Sequence, residues 1–377
     1  MKKYARTIAL ICALIVIAAI IWRLEKLKAH PGSAEVSSRS IALPASPLAA
    51  LAKIAAADQA KGYKPAIEIA NPAGFINTDD KFTLENQIGK KVILVDFWTY
   101  SCINCIRTLP YLTAWDQKYR DQGLLIVGIH SPEFQFEKDL ANVKAAAEKF
   151  NIKYPVVLDN DYGTWQAYGN LYWPHEYLID IAGYIVHDRI GEGGYDETEK
   201  LIQQLLKQRA EALGAPTAIA STTIVAVPAE QLVGVESPET YFGAERNEYL
   251  ANGKPSATGE QTLVEPKTIK LNQLYLAGKW NFEKEFATPA PGAKIIYHYH
   301  SAKVFLVANA DQGAIIQVLQ DGKPVSTEAG EDVKDGKVTV RTSRLYHIIK
   351  NPSGPGEHTL TLIILSPGLR AYTFTFG

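Results

Sequence analysis

A run of strand-forming residues, Val92–Trp98, is followed almost at once by two cysteines in a C-x-x-C spacing, Cys102 and Cys105. A near-continuous apolar run of this kind is typical of a strand that is covered on both faces of a sheet. The stretch 102–122 favours a helix, which Gly123 ends. The segment therefore predicts a buried strand that leads into a helix, with the first cysteine at the helix N-terminus.

The residues around this segment alternate between strand and helix periodicity, which predicts a mixed α/β sheet for a domain at 67–210. The hairpin in this region is expected to turn at Ala182 and Gly183. The further elements expected are strands at 124–129 and 154–158, helices at 136–150 and 163–168, a hairpin over 175–189 and a helix at 197–213.

The position of Cys102 gives its thiol a chemical role. Free backbone N–H groups and the helix dipole stabilise an anion at a helix N-terminus, and the thiolate is the nucleophilic form of cysteine. Cys105 lies nearly beneath Cys102 on the next turn, where it is able to attack a mixed disulfide and release the product. Ser101 is well placed to cap the helix. The spacing predicts thiol–disulfide exchange, which requires no metal and no organic cofactor.

Other uses of a C-x-x-C pair fit less well. A c-type haem site requires histidine after the second cysteine, where this chain has Ile106. A zinc site requires a second pair of ligands, and the remaining cysteine is Cys12, in the N-terminal apolar run. A binding protein in which the C-x-x-C pair is only structural stays open as an alternative.

Three segments carry a family resemblance: Val95–Cys105 (VDFWTYSCINC), Gly128–Phe134 (GIHSPEF) and Tyr172–Asp180 (YWPHEYLID). The first is similar to the active-site segment of thioredoxin. Together the three resemble the extracytoplasmic redoxin domain of DipZ-type proteins, which are related to the TlpA/ResA group. The resemblance implies a thioredoxin-like fold and an extracytoplasmic thiol-disulfide oxidoreductase that acts on disulfide-containing protein substrates.

The resemblance also implies roles for four residues. Cys102 matches the attacking thiol and Cys105 the resolving thiol. Asp96 matches a buried carboxylate that exchanges a proton with the resolving thiol. Pro174 matches the cis-proline that faces the disulfide, and a Trp-Pro bond is a plausible cis site.

Three further residues are weaker candidates for the surroundings of the site. Trp98 is expected to line it, although core packing is the commoner role of such a tryptophan. Trp173, directly before Pro174, is bulky, so the shape of the substrate groove beside this proline is expected to differ from that of the family. Glu133 follows the second long strand and is either an acid near the site or a solvated loop residue.

A peroxiredoxin-like peroxidase is a second enzyme alternative. Thr99 and Cys102 satisfy the T-x-x-C part of the peroxiredoxin motif, in which the threonine hydroxyl and the thiolate handle a peroxide. The proline expected four residues before the threonine is replaced by Val95. A second cysteine three residues after the first fits disulfide exchange better.

The N-terminus has the pattern of a segment that directs the chain to the membrane. Met1–Arg6 is short and basic, and Thr7–Trp22 is apolar and uncharged. This pattern favours an uncleaved signal anchor at 1–28 over a cleaved secretion signal. We expect the bulk of the chain on the extracytoplasmic side, which is the periplasm in a bacterium. A linker at 29–66 then contains one helix, at about 46–61.

A second linker, at 211–235, precedes an all-β domain at 236–377. Its strand candidates, 268–271 among them, recur between turn signals with almost no helix, which predicts a jelly-roll sandwich. Pro238–Gly243 and Tyr372–Gly377 resemble the C-terminal domain of the same DipZ-type proteins, a domain similar in fold to carbohydrate-binding modules.

The β domain is expected to bind a glycan or a protein ligand, with core packing as the alternative role of its aromatic residues. His298 and His300 share one strand face, which suggests either a two-histidine metal site or a polar face. The aromatic residues that either bind the ligand or pack in the core are Tyr241, Trp280, Tyr297 and Tyr299.

Charge excludes one class of partner. The chain has 39 basic and 40 acidic residues, a net charge of −1, whereas nucleic-acid binding requires a clustered positive surface. The partners implied by the resemblance and by thiol–disulfide exchange are instead disulfide-containing proteins and a membrane electron donor for the thiols.

Overall fold

The computed structural model of the protein describes residues 46–215, 224–225 and 236–377. The predicted signal anchor at 1–28 lies outside these residues. Among the described residues, no helix combines the length and apolar composition needed to cross a membrane. Two lobes in contact, an α/β lobe (46–215) and a β lobe (236–377), belong to one compact unit, Ser46–Gly377.

The helices of the described chain lie in the α/β lobe. The predicted helix near 46–61 is confirmed, and the Ser46 hydroxyl caps it by accepting a hydrogen bond from the N–H of Ala49 at 3.3 Å. The α-helices are α1 (Pro47–Ala60), α2 (Ile103–Tyr119), α3 (Leu140–Lys149), α4 (Gly163–Ala167) and α5 (Tyr195–Leu213), with 3₁₀ turns at Glu85–Gln87, Arg120–Gln122 and Gln135–Lys138.

The strands of the α/β lobe are β1 (Lys64–Pro65), β2 (Gly74–Ile76), β3 (Val92–Trp98), β4 (Leu124–His130), β5 (Val156–Leu158), β6 (His175–Ile179) and β7 (Tyr184–Ile190). They form one sheet in the order β1-β7-β6-β3-β4-β5-β2. Because β3 pairs with β4 in parallel and with β6 antiparallel, the predicted mixed sheet is confirmed. The short edge strands β1 and β2 are not evident in the sequence pattern.

β3 lies at the centre of this sheet, and all seven of its residues are buried. Its side chains alternate between two apolar clusters, one on each face of the sheet. Residues 99–101 then connect the carboxyl end of β3 to α2. This connection places the start of α2 at the carboxyl edge of the central parallel strands, where open α/β sheets commonly hold their ligands.

The strands of the β lobe are β8 (Thr240–Tyr241), β9 (Gly259–Leu263), β10 (Leu274–Phe282), β11 (Ala287–Pro289), β12 (Lys294–Ser301), β13 (Lys303–Asn309), β14 (Ala314–Gln320), β15 (Lys323–Pro324), β16 (Val333–Lys334), β17 (Lys337–Val340), β18 (Arg344–Lys350), β19 (Gly356–Ile364) and β20 (Arg370–Phe376). The β-rich prediction for this region is confirmed. Residues 268–271, the first strand predicted in the β domain, form no strand, and β9 lies before them in the chain.

β10 joins the two halves of the β lobe. Its first part pairs with β12, whereas its second part, from Gly278 onward, pairs with β9 and β11. Gly278 has a φ of +89°, and a Cβ at this position would lie 3.0 Å from the Cα of Ala293. Only glycine adopts this conformation without steric cost. The change of strand partners at Gly278 therefore allows the two halves of the sheet to pack around one apolar core.

The two lobes meet beside the start of α2. Ile103, the second residue of the C-x-x-C segment, is buried in an apolar cluster that also contains Phe134 of the α/β lobe. The β lobe contributes Phe305, Leu345 and Tyr372 to the same cluster. The β lobe therefore covers one flank of the C-x-x-C segment.

Candidate active site

Cys102 and Cys105 lie where the sequence predicts them, at the first turn of the helix that follows β3. Cys102 is the N-cap residue of α2 and is partly exposed, whereas Cys105 is 1% exposed. Both are free thiols in this structure. The helix N-terminus favours an anion at Cys102, and Cys105 lies behind it in the core.

The surroundings of Cys105 disfavour its thiolate. Burial raises the pKa of the Cys105 thiol well above its usual range, and a hydrogen bond and charge from Cys102, together with the charge of Asp96, raise it further. The two thiols therefore differ in accessibility and in ionisation. Cys102 is accessible to a substrate disulfide, whereas Cys105 is buried and its thiol stays protonated.

Asp96 lies on β3, 1% exposed, and its Oδ1 has no hydrogen-bond partner among the described residues. Burial raises the pKa of Asp96 well above its usual range, and the neighbouring carboxyl of Glu176 raises it further. A protonated Asp96 next to a buried thiol is chemically suited to exchange a proton with that thiol.

Ser101 does not cap α2, so that prediction is wrong. The N-cap position belongs to the next residue, Cys102, and the Ser101 hydroxyl instead donates to Oε1 of Glu137 at 2.6 Å. The N–H groups of Glu133 and Phe134 donate to Oε2 of the same carboxylate at 2.6 and 3.0 Å. Burial, and then the charge of Glu133, raise the pKa of Glu137 to about 7.

Thr99 and Trp98 are wholly buried. The Thr99 hydroxyl lies 3.5 Å from Nε2 of His130, and the Trp98 ring packs edge-on against the His130 ring at 5.1 Å. Burial lowers the pKa of His130 to about 3, so this imidazole stays neutral. Trp98 therefore contributes to the core beneath the site rather than to its surface, and Tyr100 stacks on the other side of His130 at 5.6 Å.

The Trp173–Pro174 peptide bond is cis, as the sequence predicts for this bond. His175, the next residue, pairs with Phe97, so Pro174 lies beside the carboxyl end of β3. The Trp173 indole N–H donates to the Ser131 carbonyl at 3.1 Å, which ties the proline loop to the loop after β4. The arrangement places Pro174 at the same edge of the sheet as the start of α2.

Glu133 is not a solvated loop residue, and the structure places it at the contact between the lobes. Its Oε1 accepts hydrogen bonds from the Tyr241 hydroxyl and from Nη1 of Arg246, both at 2.8 Å, and its side chain is 10% exposed. Both partners belong to the β lobe, so Glu133 holds the two lobes together.

Sequence reasoning did not find Glu137, Glu176 or His130. His130 and Glu176 lie inside segments that carry the family resemblance, which is the signal that could have identified them. Glu137 lies outside those segments. Their burial is the decisive property, because a buried ionisable group with a shifted pKa is a common mark of a functional site.

The aromatic residues considered for glycan binding divide into two sets. Trp280, Tyr297 and Tyr299 are completely buried in the core of the β lobe and are not available to a sugar ring, whereas Tyr241 packs at the lobe interface. His298 and His300 do share a half-buried face. Among the described residues, no group of three or more potential ligand residues is arranged to hold a metal ion.

The comparisons with known proteins agree with this geometry. Residues 64–188 match the model of the AhpC/TSA family, and residues 237–377 match that of the thioredoxin-like C-terminal domain. The thiol-disulfide oxidoreductase YkuV of Bacillus subtilis (strain 168) is 30% identical over 145 residues, which are 38% of this chain and 96% of YkuV. The chain belongs to the thioredoxin-like thiol-disulfide oxidoreductases.

Other relatives of this oxidoreductase extend the match. Protein DipZ of Mycobacterium tuberculosis (strain CDC 1551 / Oshkosh) is 34% identical over 323 residues, which are 85% of this chain and 44% of DipZ. The chain thus spans less than half the length of that relative. A thioredoxin-like protein in its oxidised form, solved in solution, is 29% identical over 38% of this chain and 95% of its own, with a TM-score of 0.36.

Proposed function

We propose that this oxidoreductase is extracytoplasmic and exchanges disulfides with protein substrates through Cys102 and Cys105. The observation that carries the proposal is the unequal placement of the two thiols, one partly exposed at a helix N-terminus and one buried behind it. Reactive cysteines occupy such partly exposed sites that favour the anion, whereas buried structural cysteines are inert.

The proposed reaction has two steps. The Cys102 thiolate attacks a substrate disulfide, forms a mixed disulfide and releases one substrate thiolate. Cys105 then gives up its proton and attacks the sulfur of Cys102, which releases the second substrate thiolate and leaves a Cys102–Cys105 disulfide. Two electrons pass from the cysteine pair to the substrate, and the reverse steps oxidise a substrate dithiol.

The neighbouring residues take supporting roles in this proposal. Asp96 takes up the proton of Cys105 as it gives up the proton that it holds, which passes on to water, and Pro174 aligns the substrate backbone against Cys102. Trp173 limits the width of the groove beside Pro174. Trp98 and Thr99 support the site from the core, since both are wholly buried.

Location and partners belong to the same proposal. An anchor at 1–28 would hold the oxidoreductase at the membrane, where a membrane electron donor for thiols re-reduces the Cys102–Cys105 disulfide. The β lobe, proposed as a jelly-roll similar to carbohydrate-binding modules, would bind a glycan or a protein. The domain limits proposed are 67–210 and 236–377, with linkers at 29–66 and 211–235.

The test is to trap the mixed disulfide. In a Cys105→Ala variant of the full chain, a substrate protein that carries a disulfide should remain covalently attached to Cys102, and the adduct should be released by a reductant. A Cys102→Ala variant is the matched control. Both variants also carry Cys12→Ala, so the thiol that remains in the control is the buried Cys105. If no adduct accumulates on Cys102, the pair is structural. If hydrogen peroxide is consumed faster than disulfides, the peroxidase alternative holds.

The reduction potential of the pair decides the direction of exchange. A value near about −270 mV, like that of thioredoxin, indicates a reductase, whereas a value near about −120 mV indicates an oxidant. Equilibration of the full chain with defined thiol buffers measures it.

A further inference from the structure

Glu176 is a buried ionisable group that is paired directly with Asp96 in the sheet. The two residues are direct partners in the antiparallel pairing of β3 with β6, so their side chains lie on the same face. Residues paired in this way have Cβ atoms about 5 Å apart. Asp96 is 1% exposed and Glu176 is 4% exposed, so two carboxyl groups share one nearly dry site behind Cys105.

Two carboxyl groups in such a site do not ionise together, because each negative charge opposes the other. No hydrogen bond satisfies Oδ1 of Asp96 within the described residues. The charge of Arg189 acts on Glu176, its register partner across β6 and β7, and opposes the rise in the pKa of Glu176. Arg189 therefore favours the ionised form of Glu176 over that of Asp96.

We propose that Glu176 is a positioning residue that shares a proton with Asp96. Its ionisation thereby sets the pH above which the two carboxyl groups accept the proton of Cys105. This inference rests on the proposed exchange through Cys102 and Cys105 and deepens it. In the resolving step, the S–H bond of Cys105 breaks and Asp96 takes the proton. Asp96 passes the proton it held to the ionised carboxylate of Glu176, and Glu176, the more exposed of the two, releases it to water.

The pKa values agree with this order. Burial raises the pKa of Glu176 to about 7 and Arg189 opposes that rise, while the pKa of Asp96 is raised further by the charge of Glu176. Above about pH 7, the pair thus holds one proton, on Asp96. The other titratable or charged groups whose charges interact with the pair are Cys105 of α2, Tyr154 before β5, Arg189 of β7 and Tyr195 of α5. Asp116 of α2 acts on Tyr154.

The experiment is a single turnover of the reduced full chain with 5,5′-dithiobis(2-nitrobenzoate) over a range of pH. Every protein compared, the wild type included, carries Cys12→Ala, because a third thiol would release thionitrobenzoate of its own. Attack by Cys102 releases the first thionitrobenzoate, and resolution by Cys105 releases the second, so the second phase reports the resolving step alone. In the wild type, the second phase should accelerate as pH rises through about 7, where Glu176 ionises. In Glu176→Gln, that inflection should disappear, since Asp96 is left to titrate alone.

Two further variants complete the design. Glu176→Asp keeps a carboxyl at a greater distance from Asp96, so it should keep the inflection but move it to lower pH. Asp180→Asn is the matched control, because it removes another buried carboxyl just beyond β6, and its profile should follow the wild type.

The outcomes separate this inference from the proposed function. If the wild type releases only one thionitrobenzoate, Cys105 does not resolve and the proposed function fails, together with this inference. If the wild type releases two but Glu176→Gln or Glu176→Asp keeps the wild-type inflection, the role of Glu176 alone is overturned. A Glu176→Gln variant that is slower by the same factor at every pH also overturns it, because a purely structural role has that effect.

Discussion

The carboxylate of Glu133 in the α/β lobe accepts a hydrogen bond from Nη1 of Arg246 in the β lobe at 2.8 Å. Arg246 also stacks over the Tyr241 ring at 3.7 Å, and the Tyr241 hydroxyl donates to the same carboxylate. Glu133 in turn donates its N–H to Glu137, which holds Ser101 directly before Cys102. A continuous set of polar contacts therefore joins the β lobe to the residue that precedes the candidate nucleophile.

Replacement of Arg246 should weaken the contact between the lobes. Arg246→Ala leaves Glu133 with one of its two β-lobe donors, and we expect a loss of about 1 kcal/mol in the free energy of unfolding, since Arg246 is partly exposed. Urea unfolding followed by tryptophan fluorescence measures the loss. Arg341→Ala, which removes an exposed arginine from the same lobe, is the control. Equal stability of the two variants would show that the ion pair does not hold the lobes together.

Replacement of Asp96 should stabilise the protein while it slows exchange. The folded pKa of Asp96 is raised, so the folded chain binds a proton that the unfolded chain releases, and stability falls as pH rises from the ordinary value of 3.8. At neutral pH, Asp96→Asn removes the cost of protonating a carboxyl that the unfolded chain holds ionised, and we expect a gain of ~1–3 kcal/mol in the free energy of unfolding.

The pH dependence of that gain provides the check. The gain from Asp96→Asn should shrink as pH falls towards 3.8, where the carboxyl is protonated in both states of the wild type. Urea unfolding of both proteins at several pH values measures it. A gain that does not change with pH would mean that packing, rather than ionisation, causes it.

The sequence predicts the central part of the site because that part is local. The β3 run, the C-x-x-C spacing and Gly123 lie within one stretch of chain, and each signal depends on neighbours a few residues away. The cis bond at Pro174 followed from a family resemblance and not from periodicity. These features survive in the structure because local preference and tertiary packing agree there.

The sequence does not predict the polar groups that surround the site because their partners are distant in the chain. Ser101 has a strong local preference for capping, yet Glu137 lies 36 residues further on and takes its hydroxyl. Glu133 and Arg246 are separated by 113 residues. A single glutamate in a strand such as Glu176 gives no sign of which residue it faces until the strand order is known.

Replacement of Glu137 should disturb both the loop after β4 and the residue before Cys102. Its carboxylate accepts hydrogen bonds from Ser101, Glu133 and Phe134, and the NH₂ group of a glutamine accepts none. Glu137→Gln should therefore lower the free energy of unfolding by ~2 kcal/mol. Thiol alkylation of Cys102 should also change in rate, because Ser101 loses its anchor. Glu148→Gln on the exposed face of α3 is the control, and an unchanged alkylation rate in both variants would refute the link to Cys102.

His130 should make the protein sensitive to acid. Burial lowers its pKa from 6.5 to about 3, so between these values the unfolded chain binds a proton that the folded chain refuses, and stability falls as pH falls. His130→Phe keeps a ring against Tyr100 and Trp98 but removes this proton. The unfolding equilibrium constant of the wild type should therefore rise relative to that of the variant by a factor of about ten for each pH unit below 6.5. Urea unfolding of both proteins at matched pH tests this, and the difference should be constant above 6.5, which serves as the internal control. If the ratio of the two unfolding equilibrium constants also stays constant below pH 6.5, His130 takes up its proton in the folded state as readily as in the unfolded state. The Thr99 hydroxyl would then face a charged imidazolium at low pH.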